Sequence, residues 1–248
     1  MTAICLGDLR LYERDVDTLL PRGWLNDQVI AFFLELFTQR PGTASGVLHL
    51  EPSTTFTAST LNDTAVLREM LSVAPSPDAT PLTEQLTRAD LVIMPVNDNS
   101  DPSAVGGGHW SLLVFRRHGQ EESGASCFEH YDSLHHSNLA HAKRLLATVA
   151  PLLHPVDARV PPLRIVKMST PQQANGYDCG VYLLAIAELV LTPTLAEEEV
   201  AHDGPSREST AAAVKSLTPE AVTAKRTEFL AHLQARLCEA QSALAQGL

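Results

Sequence analysis

The chain has 248 residues and a formal net charge of −11. That is length enough for one large domain or two small ones with a full core, and the acidic balance disfavours nucleic acid as a partner and favours a basic one. Its four cysteines, Cys5, Cys127, Cys179 and Cys238, are scattered without a CxxC pair. This argues against a zinc site or disulfide scaffold and for free thiols in a reducing compartment. With no basic-plus-apolar leader and no apolar run of membrane length, cytosol or nucleus is expected, without a membrane partner.

Asp8 to Tyr12 reads as a short strand, and Arg14 to Leu20 as a helical turn before Pro21. Trp24-Leu25-Asn26-Asp27 then precedes an apolar run from Gln28 to Phe37, with Val29, Ile30, Phe33 and Phe37 on its packing side. Asn26 or Asp27 can cap that helix. Trp24 is either a hydrophobic staple or the wall of a binding groove. Residues 38–60 are rich in Thr, Ser, Gly and Pro and read as a loop, with a short strand or turn at Val47 to Leu50. A helix is expected over 61–71, after which Pro75, Pro77 and Pro81 break the chain.

Leu91 to Val96 has the character of an inner strand, although Pro95 implies an end or an irregularity. The long polar loop from Asn97 to Gly108 closes on three glycines and feeds a second strand, His109 to Phe115. A charged turn leads to a third strand, Ser126 to Ser133. A helix over 139–153 and a fourth strand, Leu163 to Met168, complete the approach to a polar turn, Gln172 to Gly180. Behind the turn, Val181 to Val190 is apolar on nearly every side, as in a helix buried all round. A mobile insertion is expected at about 195–212, and a last helix at about 219–245, with Pro219 in its first turn and Phe229, Leu230, Leu233 and Leu237 as its stripe. The whole reads as a single domain over 1–248 of the α+β class, not a doubly wound sheet.

Three chemistry-bearing residues stand at the edges of these elements. His109 begins one strand, Asp132 ends the next, and Cys179 begins the buried helix. Together they are the set for nucleophilic catalysis, in which a thiolate attacks, an imidazole carries the proton and a carboxylate orients the imidazole. Alone, Cys179 reads first as a buried structural cysteine, the commoner fate of a free thiol. Acyl transfer also needs oxyanion donors. The N–H of Cys179 is one, and the amide of Gln172 or Gln173 offers another. Asp132-Ser133-Leu134-His135-His136 has the look of metal ligands, but no second cluster accompanies it, and neither metal nor cofactor is expected.

The segments Trp24-Leu25-Asn26-Asp27, His109-Trp110-Ser111-Leu112-Leu113-Val114, Tyr131-Asp132-Ser133 and Gln173-Ala174-Asn175-Gly176-Tyr177-Asp178-Cys179-Gly180 resemble the Ulp/sentrin-specific protease family. The resemblance is closest to its deneddylase branch. Features shared with that branch include Asn97-Asp98-Asn99-Ser100, the glycines before His109, Ser137-Asn138 with His141-Ala142-Lys143, and Leu217-Thr218-Pro219.

The resemblance implies a papain-like cysteine protease fold, a mixed central sheet flanked by helices. It implies a monomeric thiol protease and isopeptidase that cuts after the C-terminal Gly-Gly of a ubiquitin-like modifier. The Nedd modifier and its lysine conjugates, such as cullins, would be the partners. Cys179 would be the nucleophile, His109 the general base, Asp132 its orienter and Gln173 the oxyanion glutamine. Trp24 and Trp110 would form a slot for the diglycine, Asp27 would meet an arginine of the modifier tail, and Asn97 would belong to the loop that closes over it. A SUMO-specific protease, a non-catalytic modifier-binding module and an acyltransferase are the alternatives. Ala174 departs from the family pattern, and the stretches at 116–125 and 191–216 are longer than the branch leads one to expect.

Overall fold

A computed structural model describes residues 2–41, 43, 46–74, 76–101, 103, 106–117, 127–154, 164–192 and 207–245. Among them, β1 (Ala3–Leu6) and β2 (Leu9–Tyr12) form an antiparallel hairpin, followed by the short α1 (Glu13–Val16) and a 3-10 turn. The main sheet has the order β3 (Val47–His49), β4 (Leu91–Asn97), β5 (Trp110–Arg116), β6 (Cys127–Tyr131), β7 (Ile165–Lys167). Its outer pairs, β3–β4 and β6–β7, are parallel and its inner pairs antiparallel. Parallel neighbours need a crossover. α3 (Pro52–Leu61), α4 (Thr64–Leu71) and α5 (Leu82–Arg88) lie in the first, and α6 (Leu139–Val149) in the second.

Successive strand residues face opposite sides of a sheet, so the apolar residues divide into two clusters. Ile93, Leu112, Val114 and Tyr131 face α2 (Asp27–Thr38), α7 (Cys179–Leu191) and α9 (Pro219–Ala245). Val92, Met94, Leu113, Phe115 and Phe128 face the side that holds Leu86 of α5 and Leu145, Leu146 and Val149 of α6. The single core expected from the sequence is thus two layers parted by the sheet, in a mixed α+β architecture.

Pro95 does not end β4, which runs unbroken to Asn97. Leu50 N bonds to Ile93 O, so the polar groups of odd-numbered β4 residues point toward β3. Pro95 is the next residue on that side, and having no N–H to give to Leu50 it falls where the short β3–β4 pairing ends, while the β4–β5 ladder runs on the other side and continues past it.

The stretch expected to be loop before residue 60 is instead α3. Pro52 sits at its first turn, and Thr55, Thr57, Ser59 and Thr60 turn their hydroxyls onto backbone carbonyls of the preceding turn. A Ser/Thr-rich helix of this kind shows no apolar period in sequence. Asn62, at φ +50°, ends it, and the side chain of Asp63 caps α4, so the expected helix over 61–71 begins only at Thr64. Of the insertion expected at about 195–212, residues 195–206 lie outside the described set. Its remainder is not a loose segment: α8 (Arg207–Lys215) carries Thr210, which is buried and accepts from Arg116 of β5.

α7 packs between β5 on one side and α2 and α9 on the other. Its entry turn is anchored from α9. Arg226 Nε donates to Asp178 Oδ1 at 2.9 Å and Nη2 to Tyr177 O at 2.9 Å, with both charged side chains buried. Removing one partner of a buried pair strands the other charge, so Arg226→Ala is expected to lower stability by about 3–5 kcal/mol. Arg88→Ala, which breaks the exposed Arg88–Glu84 pair, is expected to cost below about 1 kcal/mol. Urea melts of the two variants measure the difference, and equal midpoints would refute the anchoring role.

Candidate active site

His109 immediately precedes β5, Asp132 immediately follows β6, and Cys179 is the first residue of α7. Because β5 and β6 are antiparallel, with Leu112 opposite Tyr131, the start of one lies beside the end of the other. His109 Nε2 therefore comes to 2.7 Å from Asp132 Oδ1, with both residues buried. Cys179, buried at the α7 N-terminus, is the other polar neighbour of the imidazole. The unpaired N–H groups of a helix start favour negative charge beside that sulfur.

The carboxylate is held on every side. Asp132 Oδ1 also accepts from Leu134 N at 2.8 Å, and Oδ2 from Asn138 N at 3.0 Å. Burial would push its pKa up, but the hydrogen bonds from His109, Asn138 and Leu134 prevail and hold it below the usual carboxylate value. Burial likewise disfavours the imidazolium of His109, yet Asp132 and Cys179 outweigh it and raise the ring to about 9. At neutral pH the ring carries a proton that it can give to a departing nitrogen.

Asn138 is a residue that sequence reasoning missed as part of the site. It is buried, and besides its N–H bond to Asp132 its Nδ2 donates to the carbonyls of Val96 and His109, both at 3.2 Å. One side chain thus ties β4, the histidine and the carboxylate together. In sequence it stands only among the features shared with the deneddylase branch, and the turn after Asp132 brings it to the site.

The two glutamines differ. Gln172 is exposed and has both amide hydrogens engaged, on Thr170 O at 2.8 Å and Asp132 O at 3.3 Å. Gln173 accepts from Ser133 Oγ at 2.8 Å and donates to Asn175 O at 2.6 Å, which leaves its second amide hydrogen available. Asn175 folds the turn by accepting from the N–H groups of Tyr177 and Asp178, each at 3.0 Å.

Trp24 is 54% exposed, so it is no staple. With Trp110, Asp27, Asn97, Gly106 and Gly107 it lines a groove of roughly 530 Å³. The opposite wall includes Pro52, Phe56 and Thr57 of α3, the helix that sequence reading missed. Trp110 follows His109 directly, and its Nε1 donates to Leu25 O at 2.9 Å. Leu25 in turn lies so close to Gly180, the residue after Cys179, that a Cβ there would sit 2.9 Å from its own Cβ. The groove is therefore locked to both sides of the His109–Cys179 pair. At its rim Gly107 has φ +146°, and a Cβ there would fall 2.0 Å from Asn97 Oδ1. Only glycine fits that position.

A buried Cys-His-Asp arrangement of this kind, at the head of a groove on an α+β scaffold, defines a cysteine protease. The chain belongs to the Ulp1 protease family, whose C-terminal catalytic domain matches residues 23–216. It is 34% identical over 238 residues to NEDD8-specific protease 1 of Arabidopsis thaliana, covering 95% of this chain and 93% of that one. It is 30% identical over 224 residues to human sentrin-specific protease 8, covering 90% and 91% of the two chains. Its fold matches that of the C-terminal Ulp1 protease domain crystallised with Smt3, the yeast ortholog of SUMO, with a TM-score of 0.63 at 20% identity over 96% of this chain and 88% of that one.

Activity is expected to fall as pH rises through about 9, where His109 gives up the proton it would lend to a leaving group. Asp132→Asn removes the main support of that proton, so the alkaline limb of the kcat/KM profile should move to lower pH. An unmoved limb in the variant would rule out this assignment.

Proposed function

We propose that this chain cleaves after the C-terminal diglycine of a ubiquitin-like modifier, with NEDD8 as the preferred one, both in precursors and in conjugates to lysine. The observation that carries the reading is the groove walled by Trp24 and Trp110 beside the His109–Cys179 pair. A slot between two indoles accepts glycines and excludes any larger side chain. Asp27 lines it without an ion-pair partner among the described residues, which suits an arginine in the modifier tail. The relatives from Arabidopsis thaliana and human, named for NEDD8 and as sentrin-specific protease 8, support the preference for NEDD8. Cullin conjugates, a monomeric state, one catalytic domain over the whole chain, and residence in cytoplasm or nucleus belong to the same proposal, on the strength of that resemblance.

In the proposed reaction Cys179, its proton on His109, attacks the carbonyl carbon of the terminal glycine. The oxyanion is held by the N–H of Cys179 and the second amide hydrogen of Gln173. His109 protonates the leaving nitrogen as the C–N bond breaks, which leaves a thioester on Cys179. Neutral His109 then takes a proton from water, the hydroxide adds to the thioester, and the modifier departs with a free carboxylate.

NEDD8 carrying a C-terminal electrophile is expected to add one modifier mass to the wild-type chain and none to Cys179→Ala, by mass spectrometry. Equal labelling of the variant would end the cysteine mechanism. In parallel cleavage assays with NEDD8, SUMO and ubiquitin fusions, NEDD8 should be cut fastest, and cleavage of SUMO alone would reassign the substrate. Gly107→Ala pushes Asn97 into the groove, and a misplacement of this size should lower kcat/KM by roughly 10–100-fold. Wild-type kinetics in that variant would show that the rim does not touch the tail.

A further inference from the structure

Behind the Asp132 carboxylate lies a second constellation that the proposed reaction does not use. His130 and Asp132 are two residues apart along β6 and its end, a spacing that places them on one face. The following turn brings His136 to the same place. One ligand atom from each of His130, Asp132 and His136 lies within 4.8 Å of the others. His130 is fully buried, and its Nε2 is engaged with Ser111 Oγ at 3.0 Å, yet its buried Nδ1 has no hydrogen-bond partner. The Nδ1 of His136 is likewise buried and without a partner, and the two rings stand 6.0 Å apart. A buried polar group without a partner is costly, and two such ring nitrogens beside one carboxylate point to a ligand they share.

We propose that His130, Asp132 and His136 form a regulatory site for zinc or a zinc-like divalent cation, and that its occupancy switches the protease off. Two imidazoles and one carboxylate suit zinc, with water as fourth ligand. Magnesium and calcium, which require oxygen ligands, are poor matches. Bonds of about 2.0–2.1 Å set tetrahedral ligand atoms roughly 3.3 Å apart, so the present 4.8 Å limit calls for side-chain movement of an ångström or so. Ser111 on Nε2 of His130 is the outer partner that orients a ligating imidazole and leaves Nδ1 for the metal. His136 is half-buried and flanked by exposed Leu134 and His135, which gives the ion a way in from solvent. A cation on Asp132 draws negative charge away from His109 and weakens the 2.7 Å bond that orients the ring. The inhibitory half of the proposal rests on the role given to Asp132, whereas metal binding stands independently of it.

The test uses two backgrounds. In Cys179→Ala, which lacks the thiol as a competing ligand, calorimetric titration with Zn²⁺ should show one equivalent bound. Adding His136→Asn, whose side chain tolerates the φ of +59° at this position, should weaken that binding at least about tenfold. With Cys179 intact, buffered Zn²⁺ should inhibit NEDD8-fusion cleavage, and His136→Asn should need at least about tenfold more metal for the same inhibition while keeping its turnover in EDTA. If circular dichroism shows that His136→Asn does not fold, His136→Gln serves the same comparison. No binding by Cys179→Ala, undiminished binding after the His136 change, or unchanged Zn²⁺ sensitivity of the active variant would each overturn the proposal, as would binding at this site without loss of turnover. Turnover in EDTA tests the cysteine mechanism alone, so its failure is distinguishable from failure of the metal site.

Discussion

An α-helix with apolar residues on every side has to be enclosed, and α7 is that helix. The sheet covers one side of it through β5, while α2 and α9 cover the other. Its N-terminus, with Cys179, therefore lies in the middle of the fold, where the ends of β5 and β6 can meet it. The approach is close enough that Gly180 has to be a glycine against Leu25. Where the turn enters the helix at buried Asp178, Asn175 satisfies the N–H groups from within and Arg226 reaches across from α9 to hold Asp178 and Tyr177 O.

The electrostatics of the site follow from the same enclosure. Burial alone would strip both His109 and Asp132 of their charges. It does the opposite here because each is the other's partner at 2.7 Å, and because the backbone N–H groups of Leu134 and Asn138 complete the shell of the carboxylate. His130, on the same sheet face but paired only with a hydroxyl, goes the other way: burial lowers its pKa to about 4 despite the nearby Asp132. Two buried histidines beside one carboxylate are thus pushed in opposite directions, set by which of them shares a hydrogen bond with it.

The groove depends on pieces distant in sequence. Trp110 is placed by β5 and pinned to Leu25, Trp24 is held beside the α2 cap, and α3 supplies the facing wall. Asp98 closes the base of the glycine loop by accepting from Gly108 N at 2.6 Å and His109 N at 3.0 Å. The loop that rims the groove is therefore tied directly to the histidine, and a shift at one is felt at the other.

By itself the sequence determined the elements whose signal is local. The strands β4, β5 and β6 are legible as apolar runs, α2 by its cap at Asn26, α7 by its uniform apolarity and α9 by Pro219 and its stripe. The order of His109, Asp132 and Cys179 at element edges, with the motifs around them, also identified the family and the chemistry. Other features depended on tertiary structure because no local pattern encodes them. α3 has no apolar period, being held by hydroxyl-to-carbonyl bonds and by burial of Thr55 and Ala58. Pro95 is tolerated inside β4 because its missing N–H faces the β3 edge, where that short pairing ends, and not β5. Asn138 meets His109 and Asp132 only once the turn after β6 has folded. The difference between Gln172, with both amide hydrogens engaged, and Gln173, with one, is set by the fold, and His130 joins Asp132 and His136 only through the pleat of β6 and the turn that follows it. Side-chain distances between segments depend on register and packing, and these are settled only when the sheet and its helices close on one another.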